Sequence, residues 1–298
     1  METGEPESAL AHYSKAMEIR QTLLEEVGRT PAARRSVMLM HRMLGSVLGN
    51  PYYLNLGDAA AAAAHYRTAL RTGEEPASED PNNARARTDL AIAHWKLGAV
   101  LQDSNPRQAA DSFRQAIALT REAIAKAPNN TDHRRNQTYN LIGLGHALRR
   151  QREFRGARES LEQALSMQQE LSEADPARAQ FEDDIPITLL EMGDLHRDIG
   201  DSALALETYR RAGTVSEHVA AGHPSDLSCS RYLAECYDRI GDSHRTQRQW
   251  QEATAWYRKS LAVWESWRAR GVSNPYTRQR SAGTARSLQE TEALLKGK

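Results

Sequence analysis

The run "LGHALRRQREFRGARESLEQAL", Leu144 to Leu165, returns as "MGDLHRDIGDSALALETYRRAG" from Met192 and as "IGDSHRTQRQWQEATAWYRKSL" from Ile240. The three align without a gap. Their glycines, Gly145, Gly193 and Gly241, stand 48 residues apart, and each is followed by a small residue, Ala157, Ala205 and Ala253. A larger residue comes next, Leu161, Tyr209 and Tyr257, and then Ala164, Ala212 and Ser260. Steps of four and then three residues put this small, large, small series on one helix face. Looser copies precede it. Gly98 leads to Ala109, Phe113 and Ala116, and Gly45 leads to Ala62, Tyr66 and Ala69 after an insertion from Gly49 to Gly57. Ala9, Tyr13 and Ala16 repeat the second-helix face with no first-helix pattern ahead, so the chain is expected to begin inside a unit.

Composition agrees with a packed helical chain. Among 298 residues, 40% are hydrophobic, 26% charged and only 6% aromatic, which suits helix over strand and supplies a core. The 39 basic and 39 acidic side chains cancel, which argues against nucleic acid or a polybasic membrane mode. The amino terminus is acidic and leads into no apolar stretch, so no secretory signal is read and a cytoplasmic location is expected. The longest purely apolar run, Ala59 to Ala64, is far short of a membrane span. Cys229 and Cys236, on one expected helix, are too far apart for a disulfide and fit no zinc pattern, so reduced thiols are expected. Proline-containing stretches at Pro128, Pro176, Pro224 and Pro275 punctuate the second helices.

This pattern resembles the tetratricopeptide repeat family, in which two antiparallel helices meet through a glycine on the first and an Ala-x-x-x-aromatic-x-x-Ala face on the second. The resemblance covers nearly the whole chain, with a period of 48 in place of the family's shorter one. It implies an all-α, right-handed α-α superhelix, a single solenoid of long hairpins. The expected division is an orphan second helix at 5–30, then repeats at 31–80 (with the inserted loop 49–57), 81–130, 131–176, 177–224 and 225–274. A capping helix at 275–298 closes the apolar side of the last unit. The segment "LGSVLGNPYYLNLGDAAAAAAHYRTAL" is further similar to the carboxy-terminal repeat regions of bacterial serine/threonine protein kinases. No Gly-rich phosphate loop, His-Arg-Asp loop or Asp-Phe-Gly motif accompanies it, so the resemblance implies a regulatory or scaffolding region.

Helical phase then nominates a binding groove on the first helices. Counting from Gly145, Leu141, Leu144 and Leu148 are core, while Tyr139, Ile142, His146 and Arg149 face the groove. The next units place Leu190, Asp194 and Arg197, then Asp238, Asp242 and Arg245, so arginine recurs as a stripe, Arg149, Arg197 and Arg245. Such a stripe could grip an acidic or phosphorylated peptide. Alternatively, Asp194 with Arg197 and Asp242 with Arg245 are surface pairs at i,i+3 spacing. The earlier units offer a more apolar groove, with Leu39, Ile92, Trp95, Tyr139 and Ile142, which suits an amphipathic ligand. Some family members clamp chaperone tails with Lys and Asn; the equivalent positions here hold Arg42 with Ser46, Trp95 with Ala99 and Ile142 with His146, which disfavours that ligand.

The ten histidines follow repeat position, His41 and His94 before the glycine and His196 and His244 after it, so neither a metal nor a cofactor is expected. Tyr52, Tyr53, Leu54 and Leu56 in the inserted loop either pack on the first unit or mark a contact surface. Trp256, Trp264 and Trp267 are expected to lie beneath the terminal helix. The functional expectation is a non-catalytic scaffold for a protein or peptide. The alternatives are the regulatory arm of a kinase and a receptor for short signalling peptides. An enzyme has little support, since no nucleophile, base and orienting group recur together.

Overall fold

The computed structural model describes residues 6–26, 28, 30–51, 55–80, 82–223, 230–272 and 275–296, and no strand occurs among them. The chain forms two compact units, Met1–Glu153 and Phe154–Lys298. The first contains α1 (Pro6–Glu26), α2 (Pro31–Gly49), α3 (Ala59–Glu79), α4 (Ala84–Leu101), α5 (Pro106–Lys126) and α6 (Thr131–Arg150). The second contains α7 (Phe154–Ala174), α8 (Ala179–Asp183), α9 (Ile185–Ile199), α10 (Ser202–Gly222), α11 (Arg231–Thr246), α12 (Trp250–Ala269) and α13 (Pro275–Lys296). The all-α class expected from the repeat is the class observed.

Local chemistry sets the helix ends. The side chains of Thr30, Asp58, Asn83, Asn105 and Asp201 each accept from a backbone N–H in the first turn of the helix that follows, and Asn130 accepts from two. Pro31, Pro106 and Pro186 stand at helix starts, where a missing N–H costs nothing. At the far end of α9, Gly200 turns left-handed with φ +102°, and Asp201 N–H reaches back to the His196 carbonyl at 2.9 Å. The same left-handed position falls on arginine in two other units, Arg152 at φ 63° and Arg248 at φ 60°.

The hairpins pack as the small and large residues demand. In the first unit α2 and α3 run antiparallel: Gly49 meets Asp58, Gly45 meets Tyr66, and Met38 meets Gly73. A Cβ at Gly45 would fall 2.6 Å from Tyr66 Cε1, so only glycine lets the ring close on the helix. In the second unit the corresponding distances are 2.3 Å from Gly193 to Tyr209 and 2.8 Å from Gly241 to Tyr257. The second-helix faces are sealed: Ala62, Tyr66 and Ala69, then Ala205, Tyr209 and Ala212, are at most 1% exposed.

Successive hairpins join through a recurring polar seam. Asn140 donates to Thr120 at 3.1 Å, Thr188 donates to Gln168 at 2.6 Å, and Cys236 lies beside Ser216 at 3.8 Å. Thr120, Gln168 and Ser216 share one repeat position, so each buried polar group finds its partner on the next first helix. Cys236 is a free buried thiol, its pKa pushed up to about 12 by burial. In the unit at 177–224 the first helix is broken into α8 and α9, and Gln168 Nε2 donates to the Asp184 carbonyl at the break, 2.8 Å. The helix α13 stacks on α11 and α12 as a further first helix would, with Thr284 donating to Asp238 and Arg245 paired to Glu290 at 3.0 Å.

Several sequence expectations fall on other residues. Tyr52, Tyr53, Leu54, Pro224 and Cys229 lie outside the described residues. The described end of the inserted loop folds onto α2: Leu56 N–H donates to Val47 at 2.9 Å, Asp58 N–H to Leu48 at 2.8 Å, and Asn55 Nδ2 to Asn50 at 3.0 Å. Trp264 and Trp267 are buried in a cluster with Ala234 of α11, and Trp267 Nε1 donates to Ser230. Trp256 is half-buried beside Tyr237, with ring centroids 5.4 Å apart and Lys259 Nζ 4.1 Å above it. Among the described residues no helix is long and apolar enough to cross a membrane.

Candidate functional site

In the first unit the nominated groove residues sit on α2, α4 and α6. Arg42 Nη1 pairs with Asp89 Oδ1 at 3.0 Å, and Arg35 takes the other carboxylate oxygen at 2.5 Å. Lys96 is buried, donates to Ser46 Oγ at 2.8 Å, and lies 5.7 Å from the Trp95 ring and 6.0 Å from the Tyr66 ring. Burial, aided by the neighbouring Arg42, pulls its pKa down to about 7. Trp95 and Tyr139, on successive first helices, are half-buried with ring centroids 6.3 Å apart. Arg135 donates to the Tyr139 hydroxyl at 2.9 Å and stands 5.4 Å from its ring. Leu39 and Ile92 share this half-buried character, whereas Ile142 is 2% exposed and belongs to the core.

At the end of α6, His146 Nε2 meets Asp103 Oδ1 at 3.2 Å and Nδ1 meets Arg149 Nη2 at 3.4 Å. A neutral imidazole protonated on Nε2 satisfies both contacts. Arg149 is only 6% exposed. It therefore differs from the exposed stripe expected of it. The reason is position: the residue lies on the same side of α6 as buried Gly145 and Ile142, one and two turns earlier.

In the second unit the acid that follows each repeat glycine is turned inward. Asp194 is 4% exposed and accepts from Tyr209 Oη at 2.6 Å, Arg197 Nη1 at 2.7 Å and Arg239 Nη2 at 3.2 Å. Burial and the adjacent carboxylate together drive the Tyr209 phenol well above its ordinary pKa, so it stays a donor. Asp242 accepts from Tyr257 Oη at 2.6 Å in the same way. Arg197 thus forms the i,i+3 pair with Asp194 and also reaches Asp198 at 3.0 Å, while Arg245 turns to Glu290 of α13. Both guanidinium groups remain partly exposed. On α11, Asp238 is half-buried and held by Thr284 at 3.0 and 2.9 Å, its pKa pushed up to about 6 chiefly by desolvation.

The tyrosine hydroxyls were not read from the sequence, although the signal is there. Wherever the large residue of the second-helix face is tyrosine in these hairpins, the residue after the repeat glycine is Ser46, Asp194 or Asp242; the two carboxylates accept from the tyrosine hydroxyl, and Ser46 shares a hydrogen bond with it. Where the residue is Phe113, Gly98 is followed by Ala99. The histidines are also bound within hairpins. His196 meets Thr208 at 3.2 Å and His244 meets Gln249 at 2.5 Å, while His41 and His65 face one another with Nδ1 atoms 2.8 Å apart. Among the described residues no group of three His, Cys, Asp or Glu side chains is placed to hold a metal ion.

Models of the tetratricopeptide repeat match residues 141–177 and 233–266, and a second such model matches 51–102. These stretches are tetratricopeptide repeats. The matched stretches take in Gly98, Gly145 and Gly241 and the second-helix faces that begin at Ala62, Ala157 and Ala253. Solved structures share the architecture. BtubC (BKLC) from P. vanneervenii aligns with TM-score 0.56 at 17% identity, over 88% of this chain and 92% of that one. Apo RapI aligns with TM-score 0.51 at 13% identity, over 88% and 77%. Aspartyl phosphate phosphatase F from Bacillus subtilis aligns with TM-score 0.53 at 15% identity, over 93% and 65%. At such identities the likeness is one of fold. No curated protein matches the sequence.

Proposed function

We propose that this chain is a non-catalytic scaffold whose first-helix faces hold a protein or peptide, and that the ligand of the first unit is an acidic or phosphorylated amphipathic segment. The observation that carries this reading is the half-buried aromatic pair Trp95 and Tyr139, with the basic side chains Arg35, Arg42, Lys96 and Arg135 beside it and Asp89 between Arg35 and Arg42. Aromatic rings supply apolar contact area, and basic side chains next to them favour an anionic partner. The helices that present these side chains are rigid, so binding needs little ordering of the receptor. In the second unit the partly exposed Arg197 and Arg245 are the stripe members open to a ligand. Asp194 and Asp242 hold the hairpins together and orient those arginines. His146 and Arg149 act behind the face as a support.

The same reading makes the chain neither an enzyme nor a nucleic-acid, metal or membrane binder, and places it in the cytoplasm. It is supported by the balanced charge and by the repeat type. The test is selection from a random peptide library on the intact protein. Enrichment of acidic sequences whose binding falls at least about tenfold in Trp95→Ala is expected, given that buried aromatics dominate interfaces. Enrichment of basic sequences, or indifference to Trp95→Ala and Tyr139→Ala, contradicts it.

A second reading rests on the segment from Gly49 to Asp58, "GNPYYLNLGD", similar to kinase carboxy-terminal regions. Here the same face would serve as the regulatory arm of a serine/threonine kinase. A kinase reading frame continuous with this one favours it, and an independent start favours the free adaptor. A receptor for short signalling peptides is separated by compaction on adding such a peptide, measured by small-angle scattering.

A further inference from the structure

The α2–α3 and α9–α10 hairpins share one plan and differ at one position. In α9 the residue after the repeat glycine is Asp194, which accepts from Tyr209 and from Arg239, a residue of the next first helix. In α2 that place belongs to Ser46, and the place of Arg239, two residues before the glycine, belongs to Lys96 of α4. Lys96 Nζ donates to Ser46 Oγ at 2.8 Å, as Arg239 donates to Asp194. Ser46 Oγ lies 3.2 Å from Tyr66 Oη, which accepts from Asn50 Nδ2 at 3.1 Å. Tyr66 and Asn50 are sealed from water, and Lys96 is only 6% exposed. A buried cation site thus meets a hydroxyl in the first unit and a carboxylate in the second.

We propose that Lys96 is carboxylated reversibly by carbon dioxide, and that its carbamate supplies the first hairpin with the acid that Asp194 supplies to the other. The lone pair of Nζ attacks the carbon of CO2 and an N–C bond forms. One C–O π pair moves onto oxygen, and one Nζ proton leaves to water. A neutral amine becomes an anion, with no oxidant, reductant or leaving group required. The carbamate oxygens accept from Ser46 and face Arg42, which Asp89 holds through Nη1 at 3.0 Å.

The surroundings select both the amine and its reagent. Burial, and then the charge of Arg42, draw the Lys96 pKa down to about 7, so a large share of the amine is unprotonated at neutral pH and able to attack. The guanidinium that disfavours an ammonium ion beside it favours a carbamate there. So enclosed a nitrogen admits a small neutral electrophile more readily than a bulky acyl donor, and CO2 is small and neutral. Carboxylation also places a negative charge next to Trp95, which opposes the acidic ligand proposed above. The chemistry itself does not depend on that ligand, and the test leaves it out.

The intact protein is equilibrated at pH 7.5 with 13C-labelled bicarbonate and CO2, ethylated with a trialkyloxonium salt that fixes carbamate oxygens, and mapped by peptide mass spectrometry. An isotope-labelled ethoxycarbonyl group on Lys96 is expected, at least about tenfold above that on the exposed Lys126 and Lys259, because an ordinary lysine is almost wholly protonated at this pH. Lys96→Arg should abolish the label. Ser46→Asp, which copies the α9 arrangement, should reduce it at least about tenfold by holding the amine protonated, with the helical circular dichroism retained. Arg42→Gln should reduce it as well, by removing the cation that the carbamate faces. The proposal is overturned if Lys96 carries no more label than Lys126 and Lys259, or if its label is the same in folded Ser46→Asp and Arg42→Gln as in the parent.

Discussion

Tyr209 Oη donates to Asp194 at 2.6 Å across the α9–α10 hairpin, and the carboxylate that receives it is nearly sealed from water. The ring of the same tyrosine lies against Gly193. One residue thus fills the space that glycine leaves and ties its hydroxyl to the next position in sequence. The arrangement returns at Tyr257 with Gly241 and Asp242, and at Tyr66 with Gly45 and Ser46.

The pair predicts unequal costs for its two halves. Tyr209→Phe removes one hydrogen bond while Arg197 and Arg239 still satisfy Asp194, so unfolding in urea should show a loss of about 1 kcal/mol. Asp194→Ala removes the acceptor of all three contacts and leaves the half-buried Arg239 and Arg197 without their carboxylate, so it should cost more, about 2 kcal/mol. Equal losses for the two variants would contradict the network.

Backbone conformation at the hairpin turns gives an opposite pair of outcomes. Gly200 has φ +102°, so Gly200→Ala should destabilise by about 1 kcal/mol. Arg248 at φ 60° bears that strain already, so Arg248→Gly should stabilise by up to about 1 kcal/mol. Thermal midpoints of the two variants, read against the parent, check both signs.

His41 and His65 predict a loss of stability in acid. Burial, then the charges of His65 and Arg71, lower the His41 pKa from the ordinary 6.5 to about 4, and burial lowers that of His65. A group whose folded pKa is depressed contributes in full above its unfolded pKa, and that contribution fades as pH falls from 6.5 towards 4. The unfolding midpoint should drop across that window, and His41→Gln should flatten the drop.

Asp238 carries the reverse sign. Its folded pKa lies near 6, raised from 3.8 chiefly by burial, so its favourable contribution is complete below 3.8 and is lost as pH rises through 6. Asp238→Asn should therefore stabilise the protein at pH 7.5 and make little difference at pH 4. Urea unfolding at the two pH values measures it.

The hairpins were legible because sterics leave a mark in composition: glycine against an aromatic ring, alanine on either side, and a fixed interval between copies. The left-handed turns did not show: Gly200, Arg152 and Arg248 stand 48 residues apart at equivalent places, and two of the three lack the residue type that announces such a turn. Phase is less forgiving. Arg149 and Ile142 were placed on the groove with Tyr139 and His146, but the structure buries the first two and leaves the other two half-buried, so a shared helix face does not by itself fix exposure. The His41 and His65 contact joins two helices of one hairpin, and histidine spacing counted within single repeat positions does not reveal it. The tyrosine–aspartate pairing was present in the residue after each glycine and required only that the two helices be read together.

The proposed first-helix binding face is tested most directly by hydrogen exchange of the intact protein, with and without an acidic peptide selected on it. Slowed exchange in α4 and α6, residues 84–101 and 131–150, with Trp95 fluorescence shifting at the same peptide concentration, is the predicted result. Protection confined to α3 and α5, residues 59–79 and 106–126, would place the ligand on the opposite helices and contradict the account.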